Sequence, residues 1–185
     1  MKHTSKLSRR EFMKRAALGA GTLTLIGGCA TPDRSGRKFL SDDEASLMEA
    51  IAEQIIPADE WPGGRDAGVV AFVDKQLAGP YRRFQEDYRK GLAAITDSCL
   101  KQYRKKFEVL SLEQQTAVLK DLESGNYEDG VWGSGFSRRF FEMLRNHSLQ
   151  GYYGSPRHGG NKKYVSYRMI GLDYPPVIGQ NRYRS

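Results

Sequence analysis

From residue 41 onward, apolar side chains recur every three or four positions with polar residues between them, the pattern of helices that each bury one stripe. Leu47, Met48, Ile51, Ile55 and Ile56 mark the first buried face. That helix opens at Ser41-Asp42-Asp43-Glu44, where Ser41 and Glu44 stand at capping-box spacing, and Pro57 closes it. A short helix is predicted from about Gly68 to Leu77, broken by Gly79-Pro80. The longest stripe comes next: Tyr81, Phe84, Tyr88, Leu92, Ile95, Cys99, Tyr103 and Phe107 predict one continuous helix of about seven turns. Ser111-Leu112-Glu113-Gln114 is a second capping box, with Val109 or Leu110 placed to staple it, and Leu112, Leu119 and Leu122 continue its face. A turn-rich loop, residues 124–135, separates this from a final helix that starts near Ser137 and carries Phe140, Leu144 and His147 at helical spacing.

Beyond His147 the pattern stops. Gly151, Gly154, Pro156 and Gly159-Gly160 come too densely for a helix or strand to continue, which leaves a loop, ordered or not. Tyr152, Tyr153, Tyr164, Tyr167, Met169, Ile170, Leu172 and Tyr174 argue for order, since a solvated linker carries fewer such side chains. No internal repeat and hardly any strand pattern occurs. The expected fold is therefore all-α: about five helices followed by a long irregular C-terminal tail, residues 151–185.

The first part of the chain reads differently. Ser8-Arg9-Arg10-Glu11-Phe12-Met13-Lys14 precedes an apolar run from Ala16 to Gly28, a twin-arginine signal pattern in which Arg9, Arg10, Phe12 and Lys14 are the recognition positions. Thirteen apolar-run residues cannot cross a hydrocarbon core, which needs about 20. Ile26-Gly27-Gly28-Cys29 resembles a lipoprotein processing site, in which lipid on Cys29 would anchor the domain; the alternative is cleavage after Ala30. The organisation expected is a signal over 1–29, a polar spacer over 30–39 and one helical domain over 40–185.

Charge sharpens this division. The 185 residues carry a formal charge of +7, which invites a nucleic-acid reading, but residues 1–28 alone contribute six Lys/Arg against one Glu. Residues 39–137 hold eleven Lys/Arg and eighteen Asp/Glu, a balance of −7, and residues 138–185 hold nine against two, a balance of +7. A basic tail of that kind suits either its own acidic body or an acidic partner. No nucleic-acid-binding module signature is present, so no nucleic-acid partner is expected.

Little in the residues points to chemistry within this chain. There is no G-x-G-x-x-G between a strand and a helix for a dinucleotide, and no C-x-x-C-H for haem. Cys29 and Cys99 are too few for an iron–sulfur cluster, and Cys99 lies on an apolar stripe, where a buried, inert thiol is the default. His147 is placed to hydrogen-bond in a core or interface, and neither it nor His158 has a second ligand at metal spacing. The pair Asp59-Glu60 reads as solvated or as a helix cap. No catalytic, cofactor-binding or metal-binding residue is expected.

One stretch identifies a family by resemblance. Leu144-Arg145-Asn146-His147, Gly151-Tyr152-Tyr153, Ser155-Pro156-Arg157-His158-Gly159-Gly160-Asn161 and Ile170-Gly171-Leu172 together resemble the signature of gluconate 2-dehydrogenase subunit 3, as do residues 56–69. Tyr167 stands in place of the aromatic expected just before Ile170, and Leu172-Asp173 replace an aromatic and a glycine. The resemblance implies a small, non-catalytic subunit of a membrane-associated dehydrogenase for sugars or sugar acids. Its partners would be a catalytic flavoprotein of the glucose-methanol-choline type holding FAD, a multihaem cytochrome c subunit, and the twin-arginine translocase. The location implied is periplasmic, held at the membrane by lipid or through the complex. Tyr152, Tyr153, Arg157, His158 and Asn161 are the expected contacts with the flavoprotein, because Tyr and Arg dominate interfaces. Closure of the tail over its own body remains the alternative for these residues. The rival functional readings are a periplasmic scaffold lipoprotein without an oxidoreductase partner, and a catalytic subunit with its own cofactor.

Overall fold

The computed structural model describes residues 36–127, 130–133 and 135–172. Arg9, Arg10, Phe12, Lys14 and Cys29 lie outside them. Six α-helices occur among the described residues, with short 3-10 turns between them: α1 (Asp42–Ile55), α2 (Val69–Leu77), α3 (Gln85–Tyr103), α4 (Leu112–Ser124), α5 (Phe136–Tyr153) and α6 (Val165–Met169). No strand is found among them, and none of these helices is long and apolar enough to cross a membrane.

Both capping boxes form. Ser41 accepts from the backbone N–H of Glu44 while the Glu44 carboxylate accepts from that of Ser41, and Ser111 and Gln114 repeat the arrangement at α4. Each satisfies two N–H groups that a helix start otherwise leaves unpaired. Of the two staple candidates, Leu110 is buried and Val109 is exposed. Leu112 is a correction: it is 69% exposed rather than part of the face, because it occupies the first helical position, where no neighbouring element covers it. The face consists of Gln115, Val118, Leu119 and Leu122.

The seven-turn stripe is three elements rather than one helix. Arg82–Phe84 form a 3-10 turn leading into α3, and α3 ends at Tyr103 with Arg104 in the left-handed region at φ 57°. The chain then turns through Phe107–Val109, which buries Phe107 from a loop while Gln115 donates to its carbonyl at 2.9 Å. The apolar spacing survives the break because the turn returns Phe107 to the same core. Within α3, Gly91 faces the Phe140 ring so closely that a Cβ there would overlap it, so the packing of Phe140 of α5 against α3 requires glycine at this position. Cys99 is buried on this stripe and its thiol is pushed up to about 11, first by burial and then by Glu108, which keeps it a protonated packing residue.

Two carboxylates organise the entry side of the fold. Asp74, buried on α2, accepts from the backbone N–H groups of Lys38, Phe39 and Leu40 at 2.7, 2.8 and 2.8 Å. Arg89 lies over the Phe39 ring, donates to the Phe39 carbonyl at 2.6 Å and pairs with Glu44. The point at which the chain enters the helical body is thus clamped from α2 and α3 together. Glu53, half-buried on α1, accepts from Ala58 and Arg65 N–H at 3.0 Å each and shapes the loop between α1 and α2. Asp59 accepts from Trp61 N–H at 2.8 Å in a local turn, and both Asp59 and Glu60 are exposed.

Removing the Asp74 carboxylate leaves three N–H groups without their acceptor. Asp74→Ala is expected to lower the unfolding free energy by about 2–4 kcal/mol in urea denaturation, with Asp74→Asn losing less because one acceptor oxygen remains. Wild-type stability in Asp74→Ala would contradict the clamp.

Candidate functional site

The signature stretch begins inside a helix. α5 does not stop at Gln150; it runs through Gly151 to Tyr153. Glycine costs about 1 kcal/mol in a helix interior, but here it lets Phe72 of α2 approach so closely that a Cβ would lie 3.1 Å from that ring. The packing offsets the propensity, which explains why local composition misplaced the helix end. Gly154 closes α5 by donating to the Gln150 carbonyl at 2.9 Å.

After Gly154 the chain folds back on the body instead of leaving it. The turn Pro156–His158 lies against α2, where Lys75 donates to the Arg157 carbonyl at 2.7 Å. Gly159 adopts φ 114°, and a Cβ on it would press on the Ala71 carbonyl at 3.0 Å. Gly160 sits directly on the Gly151 carbonyl, leaving no room for any side chain. Asn161, left-handed at φ 47° and fully buried, donates from Nδ2 to the Gly154 carbonyl at 2.9 Å and accepts at Oδ1 from Ser166 N–H at 2.9 Å. One side chain therefore binds both the end of α5 and the first turn of α6. Lys162 N–H donates to the Ala67 carbonyl at 2.9 Å, joining the tail to the α1–α2 loop.

The five residues expected at a partner surface consequently divide. Tyr152 is buried and its hydroxyl donates to the Pro62 carbonyl at 2.9 Å; it and Asn161 belong to the interior of this chain. This corrects their expected placement: the helix phase turns Tyr152 inward, and the glycine pair seats Asn161. Tyr153, Arg157 and His158 are exposed, with Arg157 Nε donating to His158 Nε2 at 3.1 Å. The tail is also less irregular than expected, since it contains α6.

His147 occupies an aromatic enclosure between α5 and the start of α3. Its ring stacks on Tyr81 at 4.6 Å and lies parallel to Tyr88 at 5.9 Å, with Phe84 tilted beside it at 5.5 Å. Nδ1 and the Tyr88 hydroxyl are 2.9 Å apart. Burial raises the Tyr88 phenol far above its ordinary range, so it keeps its proton and can donate to Nδ1. Burial, and then the Arg83 charge, hold His147 down to about 4. Tyr81 in turn donates to the Gln150 side chain. Of the two places read from sequence for this hydrogen bond, core or interface, the described residues show it in the interior of this chain. No group of three or more His, Cys, Asp or Glu capable of holding a metal occurs among the described residues. A groove of about 560 Å³ beside Lys101, Gln102, Tyr127 and Trp132 contains none of the expected site residues.

Sequence reading missed Asp74 and Glu53. The only signal for Asp74 was an acid inside the apolar run VVAFVDKQL. Glu53 gave none, because a glutamate on a helix ordinarily faces solvent.

The neutral histidine sets a pH dependence. Because the folded value lies below the ordinary 6.5, the unfolded chain takes up a proton first as pH falls, and stability drops between about 6.5 and about 4. His147→Gln keeps a hydrogen-bonding side chain that does not titrate. Thermal melts across that window are expected to show a shallower loss of Tm in the variant than in wild type; parallel curves would exclude His147 as a contributor.

No curated protein and no solved structure matches the chain. A family profile, described as gluconate 2-dehydrogenase subunit 3, matches residues 42–173, from the first residue of α1 to just beyond the end of the seated tail. Helical body and tail are thus one family unit, and the chain belongs to the gluconate 2-dehydrogenase subunit 3 family.

Proposed function

We propose that this chain is the non-catalytic accessory subunit of a periplasmic, FAD-dependent sugar or sugar-acid dehydrogenase of the glucose-methanol-choline type. It binds the catalytic flavoprotein and accompanies it through folding and twin-arginine export. FAD belongs to that partner, and haem c to a cytochrome subunit that takes the electrons. The observation that carries this reading is the family match over residues 42–173. The use of the signature residues adds support: Gly151, Gly159, Gly160, Asn161 and Tyr152 are committed to seating the tail, and His147 to an internal hydrogen bond. Those are the duties of a scaffold.

The export role has a physical rationale. A flavoprotein acquires FAD as it folds, so it needs a route that moves folded proteins, and Arg9-Arg10 with Phe12 and Lys14 form the address for that route. A tightly held small subunit can carry the address for both chains. Lipid on Cys29 would then hold the complex at the membrane surface without a spanning helix.

Replacing Arg9 and Arg10 together by Lys is expected to leave both this chain and the dehydrogenase activity in the cytoplasm. Periplasmic dehydrogenase activity at wild-type level in that strain would refute the carrier role. Cys29→Ser is expected to move the exported complex from the membrane fraction to the soluble periplasm, and unchanged membrane association would refute lipidation.

A further inference from the structure

The aromatic enclosure around His147 has a property that packing alone does not require. Tyr88 is wholly buried, and its hydroxyl faces His147 Nδ1 at 2.9 Å. By contrast, the hydroxyls of Tyr81, Tyr127 and Tyr152 donate to amide oxygens: the Gln150 side chain, the Gln102 side chain at 3.4 Å and the Pro62 carbonyl at 2.9 Å. An amide oxygen accepts a hydrogen bond but does not keep a proton, whereas a neutral imidazole nitrogen does both. Tyr88 thus has a base at proton-transfer distance, and those three tyrosines do not.

Both the ground state and the surroundings suit this pair to one kind of event, the loss of an electron. Burial keeps the Tyr88 phenol protonated, and burial together with the Arg83 charge keeps His147 neutral, so Nδ1 can receive a proton. Removing an electron from a phenol makes its O–H far more acidic than an imidazolium. The proton therefore crosses to Nδ1 even though burial and Arg83 make His147 a weak base. A way out for the electron exists as well. Tyr81, half-buried at the surface, stacks on the His147 ring at 4.6 Å, and that ring lies parallel to Tyr88 at 5.9 Å. Phe140 packs edge-on against Tyr88 at 5.7 Å, and complete burial keeps solvent and solutes from the Tyr88 ring.

We propose that Tyr88 and His147 form a redox-active pair that takes up a one-electron oxidising equivalent arriving at the surface through Tyr81, an inference that does not depend on the accessory-subunit reading. The oxidant is of the oxygen-radical class, a peroxyl radical for example. One electron leaves Tyr88 by way of the Tyr81–His147 stack and reduces the peroxyl radical, which takes a proton from solvent and becomes a hydroperoxide. The Tyr88 O–H bond breaks as its proton bonds to His147 Nδ1, leaving a neutral phenoxyl radical beside an imidazolium. Tyr81 does not hold the oxidising equivalent, because its hydroxyl faces the Gln150 amide rather than a base. Burial shields the Tyr88 radical from coupling with a second radical, so the equivalent is stored there.

The test uses the purified full-length chain, with a photo-excited ruthenium tris-bipyridine complex and persulfate as the one-electron oxidant at its surface. After a flash, wild type is expected to hold a phenoxyl radical, read by its visible absorption and by electron paramagnetic resonance. With isotope-labelled histidine, double-resonance spectra are expected to show an exchangeable proton shared between the radical oxygen and a histidine nitrogen. Tyr88→Phe retains the ring and is expected to remove the long-lived signal. His147→Gln puts an amide in place of the base and is expected to shorten the lifetime of the signal at least about tenfold, with an unchanged circular dichroism spectrum. Tyr81→Phe is expected to slow the appearance of the radical and leave its lifetime unchanged. A signal of wild-type lifetime in Tyr88→Phe or in folded His147→Gln would overturn the proposal, as would an unchanged rate of appearance in Tyr81→Phe. If a variant does not fold, the wild-type spectra decide: a radical with no histidine nitrogen beside it overturns the pair.

Discussion

The structure depends on one close approach, the seating of Gly160 on the carbonyl of Gly151. No other residue type fits at 160. That contact brings Asn161 to the place where its amide can reach both the end of α5 and the first turn of α6. Once it is made, the segment from Gly154 to Met169 has inward-facing partners along its length: Lys75, Ala67 and the Ala71–Phe72 backbone all meet it from the body. A segment with many turns and little regular structure gains order from such contacts because each one fixes backbone already fixed by its neighbours.

The same logic joins the tail to the helices that precede it. α5 contributes Phe140 to the crossing with α3, His147 to the aromatic enclosure and Gly151 to the seat of the tail, all from one buried face. Gln150, on its exposed side, accepts from Tyr81, which precedes the 3-10 turn leading into α3. The helix is therefore held by α3 on one side and by the tail at its end, and a shift along its axis would disturb both. At the opposite end of the chain, Asp74 plays the comparable part for residues 38–40. Both ends of the helical body are held through α2, which supplies Asp74 to one and Phe72 and Lys75 to the other.

The range of each interaction decides how much of it could be read in the sequence. Local signals were legible: the two capping boxes, Pro57 ending α1 and the short helix before Gly79-Pro80 all depend on residues within a few positions of one another. The family signature was legible as a resemblance, and so was the all-α fold, while His147 was legible only as a hydrogen-bonding residue of a core or interface. Interactions between distant segments were not. Gly151 looks like a helix breaker until Phe72, 79 positions away in sequence, is seen packed on it. Tyr152 looks like a recognition residue because tyrosine favours interfaces, and Asn161 because it stands in the same motif; only the helix phase and the glycine seat turn them inward. The break in the long stripe at Arg104 left no local mark at all, since Phe107 rejoins the same core by another path.

A division of labour within the signature results. Its glycines, Asn161 and Tyr152 build the seat, and Tyr153, Arg157, His158, Ile170 and Leu172 remain exposed. The tail is thus part of the fold rather than an appendage to it. Thermal unfolding, followed by circular dichroism, of a chain ending at Gln150 against the full-length protein tests this most directly. The shortened chain is expected to lose much of its helical signal and its cooperative transition, since α5 would end without Gly151 and the body would lack the covering from Gly154 to Met169. A shortened chain with undiminished helical signal and the same Tm would contradict it.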